Sequence, residues 1–449
     1  MSEAGSKLRP GVSAAYAAGN FANSILPIVL LSWILYFYSA PEDAGRAVLL
    51  SPMVIGAIRG VERLFGAVIE PIVGHLCDRT NTRFGRRLPW IFFGAPLFCA
   101  SFAAIWFPPG GMPTDSPVVV AYFTVTLVLF WASYTAVVGP YLALLPELVA
   151  DGPGRVRLSI WLALFEALAN VVGAVVAGMI ISIPGAMLLG VHFKDGYEIL
   201  GVVLGAVALA VYALMLAIVR EPPRTPAHDI PFRFSEAIKT SLANPTFLPY
   251  AIGLAGYRAG SSAAVIGIPF VATQLMKASE EVAGYMLGVI IVFATVGFPV
   301  VQVLSNRFGV PKVFRWCGIG FVVVLPLIGT IGLFPVSPMV HGVILFVLAG
   351  FSVAGLMVLP RALLAEVIDI DHASTKLRRE AMYNGMSGVV EKGGEALSLG
   401  VIGFLFERFG NSASSPLGLR LMGVAAGVFV VIGLFAFRGY EESARRARA

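Results

Sequence analysis

Twelve apolar runs, each about 20 residues or longer, decide what this chain can fold into. They lie near residues 14–39, 50–77, 88–107, 117–147, 157–182, 197–219, 246–274, 282–305, 313–334, 340–367, 381–407 and 417–437. A helix of that length crosses the hydrocarbon core of a bilayer, and only helices or closed barrels satisfy their own backbone there. The expected fold is an all-α polytopic membrane protein with twelve transmembrane helices. Of 449 residues, 57% are hydrophobic and 13% charged, about half the charged share of a soluble domain. The net charge of +6 comes largely from basic residues placed between apolar runs, where they orient spans rather than bind nucleic acid. The bilayer is the expected macroscopic partner, nucleic acid is excluded, and a monomer is expected. The opening MSEAGSKLRPG is polar, and the run after it is too long for a secretory leader, so it reads as a retained span.

The loops set the orientation. Alternate connections hold Lys7 and Arg9, Arg79 to Arg87, Arg155 and Arg157, Arg220 to Lys239, Arg307 to Arg315, Lys376 to Arg379, and Arg438 to Arg448; the other connections hold Arg46, Lys194, Lys277, Arg408 and Arg420. That is about 22 basic residues against 5, which puts both termini in the cytoplasm of a cell whose inner (plasma) membrane holds the chain. The longest polar break, 220–245, is then a cytoplasmic central loop between two six-helix halves, 1–219 and 246–449. The halves repeat. TRFGRRLPW at 82–90 matches NRFGVPKVF at 306–314, 224 residues on, and PYLALLPELVAD at 140–151 matches PRALLAEVID at 360–369. Both matches follow the same span of their half, the second and the fourth. Duplicated halves of this kind are a transporter architecture, with the solute near the midplane between them.

Span two breaks the apolar rule. Arg59, Glu62, Arg63 and Glu70 lie inside it, and Asp78, Arg79, Arg83, Arg86 and Arg87 follow in a short basic turn. Charged groups at bilayer depth cost roughly 2.5–3.5 kcal/mol each on insertion scales, so they need partners or water. Arg59, Arg63 and Glu70 share one helical face, read as a polar lining of a solute or ion path. Snorkelling to the interface is the alternative for Arg59 and Glu62, but an acid is too short for it at Glu70. Gly74, Asp78, Arg79, Arg83, Arg86 and Arg87 form the candidate gate: Gly74 for close helix contact, Asp78 to meet a helix N-terminus, the arginines to fix the loop and to pair with acids of the other half. Span eleven carries Glu391, Lys392 and Glu395, and span seven carries Arg258.

Three blocks in spans two, four and eleven carry a family resemblance: ERLFGAVIEPIVGHLCDRTNTRFGRRLPW, PYLALLPELVADGPGR and EAMYNGMSGVVEKGGEAL. Together they resemble the glycoside–pentoside–hexuronide cation symporters of the major facilitator superfamily, melibiose permease among them, and the related sodium-dependent lysophospholipid symporters. The resemblance implies the major facilitator fold, two pseudo-symmetric six-helix halves, and cation-coupled transport by alternating access. It places a cation-coupling acid at Glu70, a hydroxyl beside it at Thr135, and at Lys392 a lysine between cation and substrate sites.

The departures bear on coupling and substrate. The first acid of the family's cation-binding pair falls on Gly66, the second on Glu70, and a polar neighbour on Ile69. Sodium needs several hard oxygens, and one carboxylate with one hydroxyl suits a proton better. Proton coupling is therefore expected over sodium, with no cofactor and no metal. The family's sugar carboxylates fall on Ser24 and Val138, its aromatic platform on Leu142 and its helix-five arginine near Ala163, so galactoside recognition is expected to be lost. The remaining candidates for solute contact are Asn20, Asn23, Ser24, Arg63, Tyr134, Glu166, Arg258 and Lys392. Glu166 resembles an acid of the lysophospholipid symporters and points to a cationic or amphipathic solute; it can equally be a structural partner of Arg63 or Lys392. The expected function is secondary transport of a small organic solute, sugar-like by family or amphipathic and lysolipid-like by the lost anchors. A non-transporting assembly factor or receptor on the same fold is the competing class, and it has little reason to retain Glu70, Lys392 and Glu166. An enzyme is not expected: no phosphate loop or nucleophile elbow appears, and neither the five histidines nor Cys77, Cys99 and Cys317 have ligand spacing.

Overall fold

The computed structural model describes residues 10–149, 152–188, 190–221, 241, 243–375 and 380–448. Most of the central loop, including Arg224, Arg233 and Lys239, lies outside the described residues, as do Lys7, Arg9 and residues 376–379. Among the described residues there are twelve α-helices of 18 residues or more. The first six are α1 (Pro10–Tyr38), α2 (Pro52–Arg79), α3 (Leu88–Ile105), α4 (Pro117–Leu148), α5 (Gly152–Ile181) and α6 (Gly196–Ile218). The second six are α7 (Phe247–Phe270), α8 (Glu280–Phe308), α9 (Val310–Ile328), α10 (Pro338–Thr375), α11 (Glu380–Phe409) and α12 (Leu417–Arg448). Each falls on one of the twelve apolar runs. Several exceed the minimum span, α10 most of all at 38 residues, so they tilt or continue past the bilayer.

Local chemistry sets the helix ends. Proline at the first turn starts α3, α4 and α9, where its missing N–H costs nothing. The Asp195 carboxylate accepts the N–H groups of Tyr197 and Glu198 and caps α6. Ser279 caps α8 through the Val282 N–H. Between α5 and α6 a small antiparallel hairpin pairs β1 (Ala186–Leu188) with β2 (Val191–Phe193). A wider turn, Val271–Leu275, follows α7 and ends with the Met276 N–H on the Val271 carbonyl.

By contact the chain divides into two units. The first holds residues 1–34 and 65–227, the second 35–64 and 228–449. The end of α1 and the first half of α2 thus group with the C-terminal helices. The repeat shows in the packing inside each unit: α3 packs on α4 and α6, and α9 packs on α10 and α12. In the first unit Tyr16 and Tyr141 stack at 4.5 Å, and each hydroxyl donates to the other's backbone carbonyl, which clamps α1 to α4. Outward-facing Phe92, Phe93 and Phe435 are 59%, 75% and 71% exposed, as lipid-facing residues are and core residues are not.

Among the described residues, nine helices are long and apolar enough to cross a membrane by composition alone; α2, α7 and α11 are not among them. In the second unit these three pack together, with α11 on α7 and the first half of α2 on α11. The α2–α11 approach is close enough that a Cβ at Gly403 would stand 2.4 Å from the Pro52 carbonyl oxygen. Replacing Gly403 by leucine should therefore force the helices apart. The expected result in detergent is a fall in Tm and lost expression, while leucine at Gly60, where a Cβ meets nothing within 4 Å, leaves both near the parent.

Candidate functional site

The polar residues that disqualify α2, α7 and α11 as plain spans are the ones these helices bury against each other. On α2 the Arg59 Nη1 lies 3.1 Å from the Glu62 Oε2, and the two side chains are 1% and 4% exposed. One position on, Arg63 reaches across to α11, with its Nη2 3.4 Å from the Glu395 Oε2. From α7 the Arg258 Nε donates to the Glu391 Oε2 at 2.9 Å, and the Ser387 hydroxyl donates to the other oxygen of that carboxylate at 3.1 Å. Lys392, between these two acids, is half-buried. Arg59 and Glu62 therefore do not snorkel: they pair inside the protein. Removing one member of such a pair costs about 3–5 kcal/mol, because its partner stays buried and charged.

In the first unit Glu70 is exposed on α2, and among the described residues a Cβ at Gly66 would meet nothing within 4 Å. The Thr135 hydroxyl donates to the Trp131 carbonyl at 3.0 Å, which leaves its oxygen lone pairs for another partner. Asn20 and Asn23 are buried and hold helices together. Asn20 donates to the Leu162 carbonyl of α5 at 3.0 Å, Asn23 donates to the Asn20 amide oxygen, and the Tyr212 hydroxyl of α6 donates to Asn23 at 2.6 Å. Ser24 is half-buried. Tyr134 is half-buried against the Phe98 and Trp131 rings at 5.6 and 5.3 Å. Glu166 is half-buried on α5, one turn beyond Leu162.

The basic turn after α2 is tied down inside its own unit. Thr82 and Gly85 bridge, and Gly85 takes a φ of +103°. The Glu221 carboxylate accepts the N–H groups of Arg86, Arg87 and Leu88 at 3.0, 2.9 and 3.2 Å, an anion seated on the α3 N-terminus. Arg86 and Arg87 both pair with Glu147 at the end of α4, Arg87 at 2.9 Å. The expectation that these arginines look to acids of the other half is thus met instead by Glu147 of the same unit, because the turn folds back over the α4 end. Arg79 and Arg83 are exposed, Arg83 over the Phe84 ring at 4.7 Å. The close helix contact expected at Gly74 is not found among the described residues, where a Cβ there would meet nothing within 4 Å. Asp78 lies in the last turns of α2. Sequence reasoning missed Glu147 and Glu221 as partners. Glu147 sits in a quoted block and was readable; Glu221 follows directly on α6 and gives no local sign that it reaches back 135 residues to Arg86.

The chain matches the family described as MFS/sugar transport protein over residues 15–444. It is 25% identical to the symporter YnaJ of Bacillus subtilis, over 91% of this chain and 85% of that one. It is 23% identical to the sodium-dependent lysophosphatidylcholine symporter 1 of Gallus gallus, over 88% and 81%. Among solved structures, a bacterial homolog of the human lysosomal transporter Spinster superposes with a TM-score of 0.71 at 15% identity, covering 97% of both chains. The paired helix packing, the twelve spans and the buried charges of α2, α7 and α11 belong together on this ground: the chain is a multi-pass membrane transporter of the major facilitator superfamily, a member of the MFS/sugar transport family, and not an enzyme.

Proposed function

We propose that this transporter couples an organic solute to a proton by alternating access, with Glu70 as the proton-carrying acid and Thr135 and Lys392 as further residues of the coupling. The observation that carries the reading is the set of ionisable side chains on α2, α7 and α11. Arg59, Glu62, Arg63, Arg258, Glu391 and Glu395 are paired within the second unit, and ionisable residues in spans mark solute and proton paths. Proton is favoured over sodium because Gly66 and Ile69 supply no oxygen where a sodium shell needs several. A coupling acid must change charge as its surroundings open and close. The exposure of Glu70 leaves it reachable by solvent, as a proton-carrying acid must be. The solute is a small molecule other than a galactoside. A second reading, an amphipathic solute, is favoured by similarity to the lysophosphatidylcholine symporter along 88% of the chain.

The protein is placed in the inner (plasma) membrane with both termini cytoplasmic, on the strength of 22 basic residues against 5 in alternate loops. Gly74, Asp78, Arg79, Arg83, Arg86 and Arg87 then form the cytoplasmic gate region, and the Glu147 and Glu221 contacts hold that turn in shape.

The test is uptake into proteoliposomes under an imposed proton or sodium gradient, with a panel of sugars and lysolipids as solutes. The parent should accumulate solute on a pH gradient, galactosides should be inert, and Glu70→Gln should lose accumulation by tenfold or more while retaining downhill exchange. Uptake driven by sodium alone, or undiminished proton-driven accumulation by Glu70→Gln, contradicts the assignment.

A further inference from the structure

Two helices change unit along their length. α1 leaves the first unit after Ile34, α2 rejoins it at Phe65, and the stretch between them groups with the C-terminal helices. Backbone and side chains both fasten it there. The Asn411 amide donates to the Ser39 carbonyl at 3.4 Å. The Ala413 N–H meets two acceptors, the Asp43 Oδ2 at 3.3 Å and the Gln274 Oε1 at 2.9 Å. The Met53 N–H, in the first turn of α2, donates to the Glu407 Oε2 of α11 at 3.1 Å, an anion at a helix N-terminus supplied from far along the chain. Arg46 completes the set. Its Nη2 lies 3.0 Å from the Glu280 Oε1 in the first turn of α8, and its guanidinium carbon 5.4 Å from the Tyr36 ring centre. Tyr36 in turn meets Phe270 of α7 edge-on at 5.0 Å.

These contacts differ in kind from those of the basic turn after α2. That turn is held by Glu147 and Glu221 of its own repeat. Here each contact joins one repeat to the other, Ser39 and Asn411 being 372 residues apart. The Arg46 and Glu280 side chains are each 24% exposed, and ion pairs open to water are weak. The seam beneath is dry: Ser39 and Ser412 are each 2% exposed and Gln274 7%. A weak pair that solvent reaches, set over a dry seam, suits a closure that breaks and reforms. Alternating access opens each face in turn, so a closure between the repeats has to release. With both termini cytoplasmic, the α1–α2, α7–α8 and α11–α12 connections all lie at the outer face.

We propose that the α1–α2 connection is a strap that closes the outer face in this structure, with Arg46–Glu280 as its latch, and that it lifts from α8 and from the α11–α12 connection when access changes. Asn411, Ala413 and Glu407 set where the strap lies, because they bond its backbone and Asp43. The ion pair sets when it lets go, because it is the one charged contact there that water already reaches on both sides. The inference rests on the alternating-access reading and on the orientation; it does not depend on the coupling ion or on Glu70.

The test is the rate at which a membrane-impermeant maleimide alkylates one added cysteine in right-side-out membrane vesicles, read at that position by mass spectrometry so that the native cysteines stay. Ala47→Cys, at an exposed position of the strap, checks the orientation and should label fast; no labelling there would overturn the outward placement of the strap, whatever the latch does. Ser39→Cys and Ser412→Cys report the seam from its two sides and should label slowly beside it. Adding Arg46→Glu sets two acids against each other and should speed both seam positions roughly tenfold or more. Glu280→Gln, which removes one charge without reversing it, should give a smaller rise. Arg46→Glu/Glu280→Arg should bring both rates back near the parent's. Native Cys99, 4% exposed in the first unit, should stay unlabelled throughout, which separates a lifted strap from an unfolded chain. Seam rates that ignore both single changes, a double swap as fast as Arg46→Glu, or Cys99 labelling in step with the seam would overturn the latch.

Discussion

Neutralisation of charges buried in mid-helix is the constraint on which the rest of this molecule depends. A lone arginine or glutamate in a span costs several kcal/mol in lipid. Neither α2, α7 nor α11 is apolar enough to stand alone by composition. Their packing answers this: Arg59 with Glu62, Arg63 with Glu395, and Arg258 with Glu391 and Ser387. Substitution on the apolar surfaces of the other nine helices strands no such charge and can be tolerated. The three polar ones tolerate less, because each charge deleted strands another. Specificity of packing in this part of the protein is thus electrostatic, with small residues such as Gly403 allowing the backbones to come close enough for it.

Such an arrangement also suits a transporter. A salt bridge between two helices is stable while they touch and costly when they part, unless a proton or solute takes over the charge. Arg63 and Glu395 span α2 and α11 at 3.4 Å with 11% and 21% of their side chains exposed. That bond is long and partly wet, where the Arg59–Glu62 pair beside it is shorter and dry. The dry pair lies within α2, and the wetter one joins α2 to α11.

Much of the fold was readable because apolar length is a strong signal. All twelve runs became helices, most with ends near the expected ones, as at Leu88–Ile105 and Gly196–Ile218 where proline or a cap decided the boundary, while α10 and α12 run on to Thr375 and Arg448. The repeat was readable from the Arg-Phe-Gly turns. The site was readable only in part. The sequence marked Arg63, Arg258, Glu391, Lys392 and Glu395 as polar intruders, but not who pairs with whom, since partners lie far apart in the chain. Arg59 and Glu62 were open to a snorkelling reading because nothing local distinguishes a helix end that meets water from one covered by α11. Asn20 and Asn23 looked like solute contacts, and the structure spends them on α5 and α6. Glu221 was invisible for the same reason: its bonds are made by folding back, and a single acid after a helix says nothing of that.

The most direct test of the central claim is a charge swap across α2 and α11. Thermal unfolding and uptake would be measured for Arg63→Glu, for Glu395→Arg and for the double swap, beside the parent. If the two side chains neutralise each other, each single reversal lowers Tm and abolishes uptake, and the double swap recovers stability with a coupling of about 0.5–3 kcal/mol and part of the uptake. A double swap as unstable as the sum of the singles, or single reversals that behave like the parent, would contradict it.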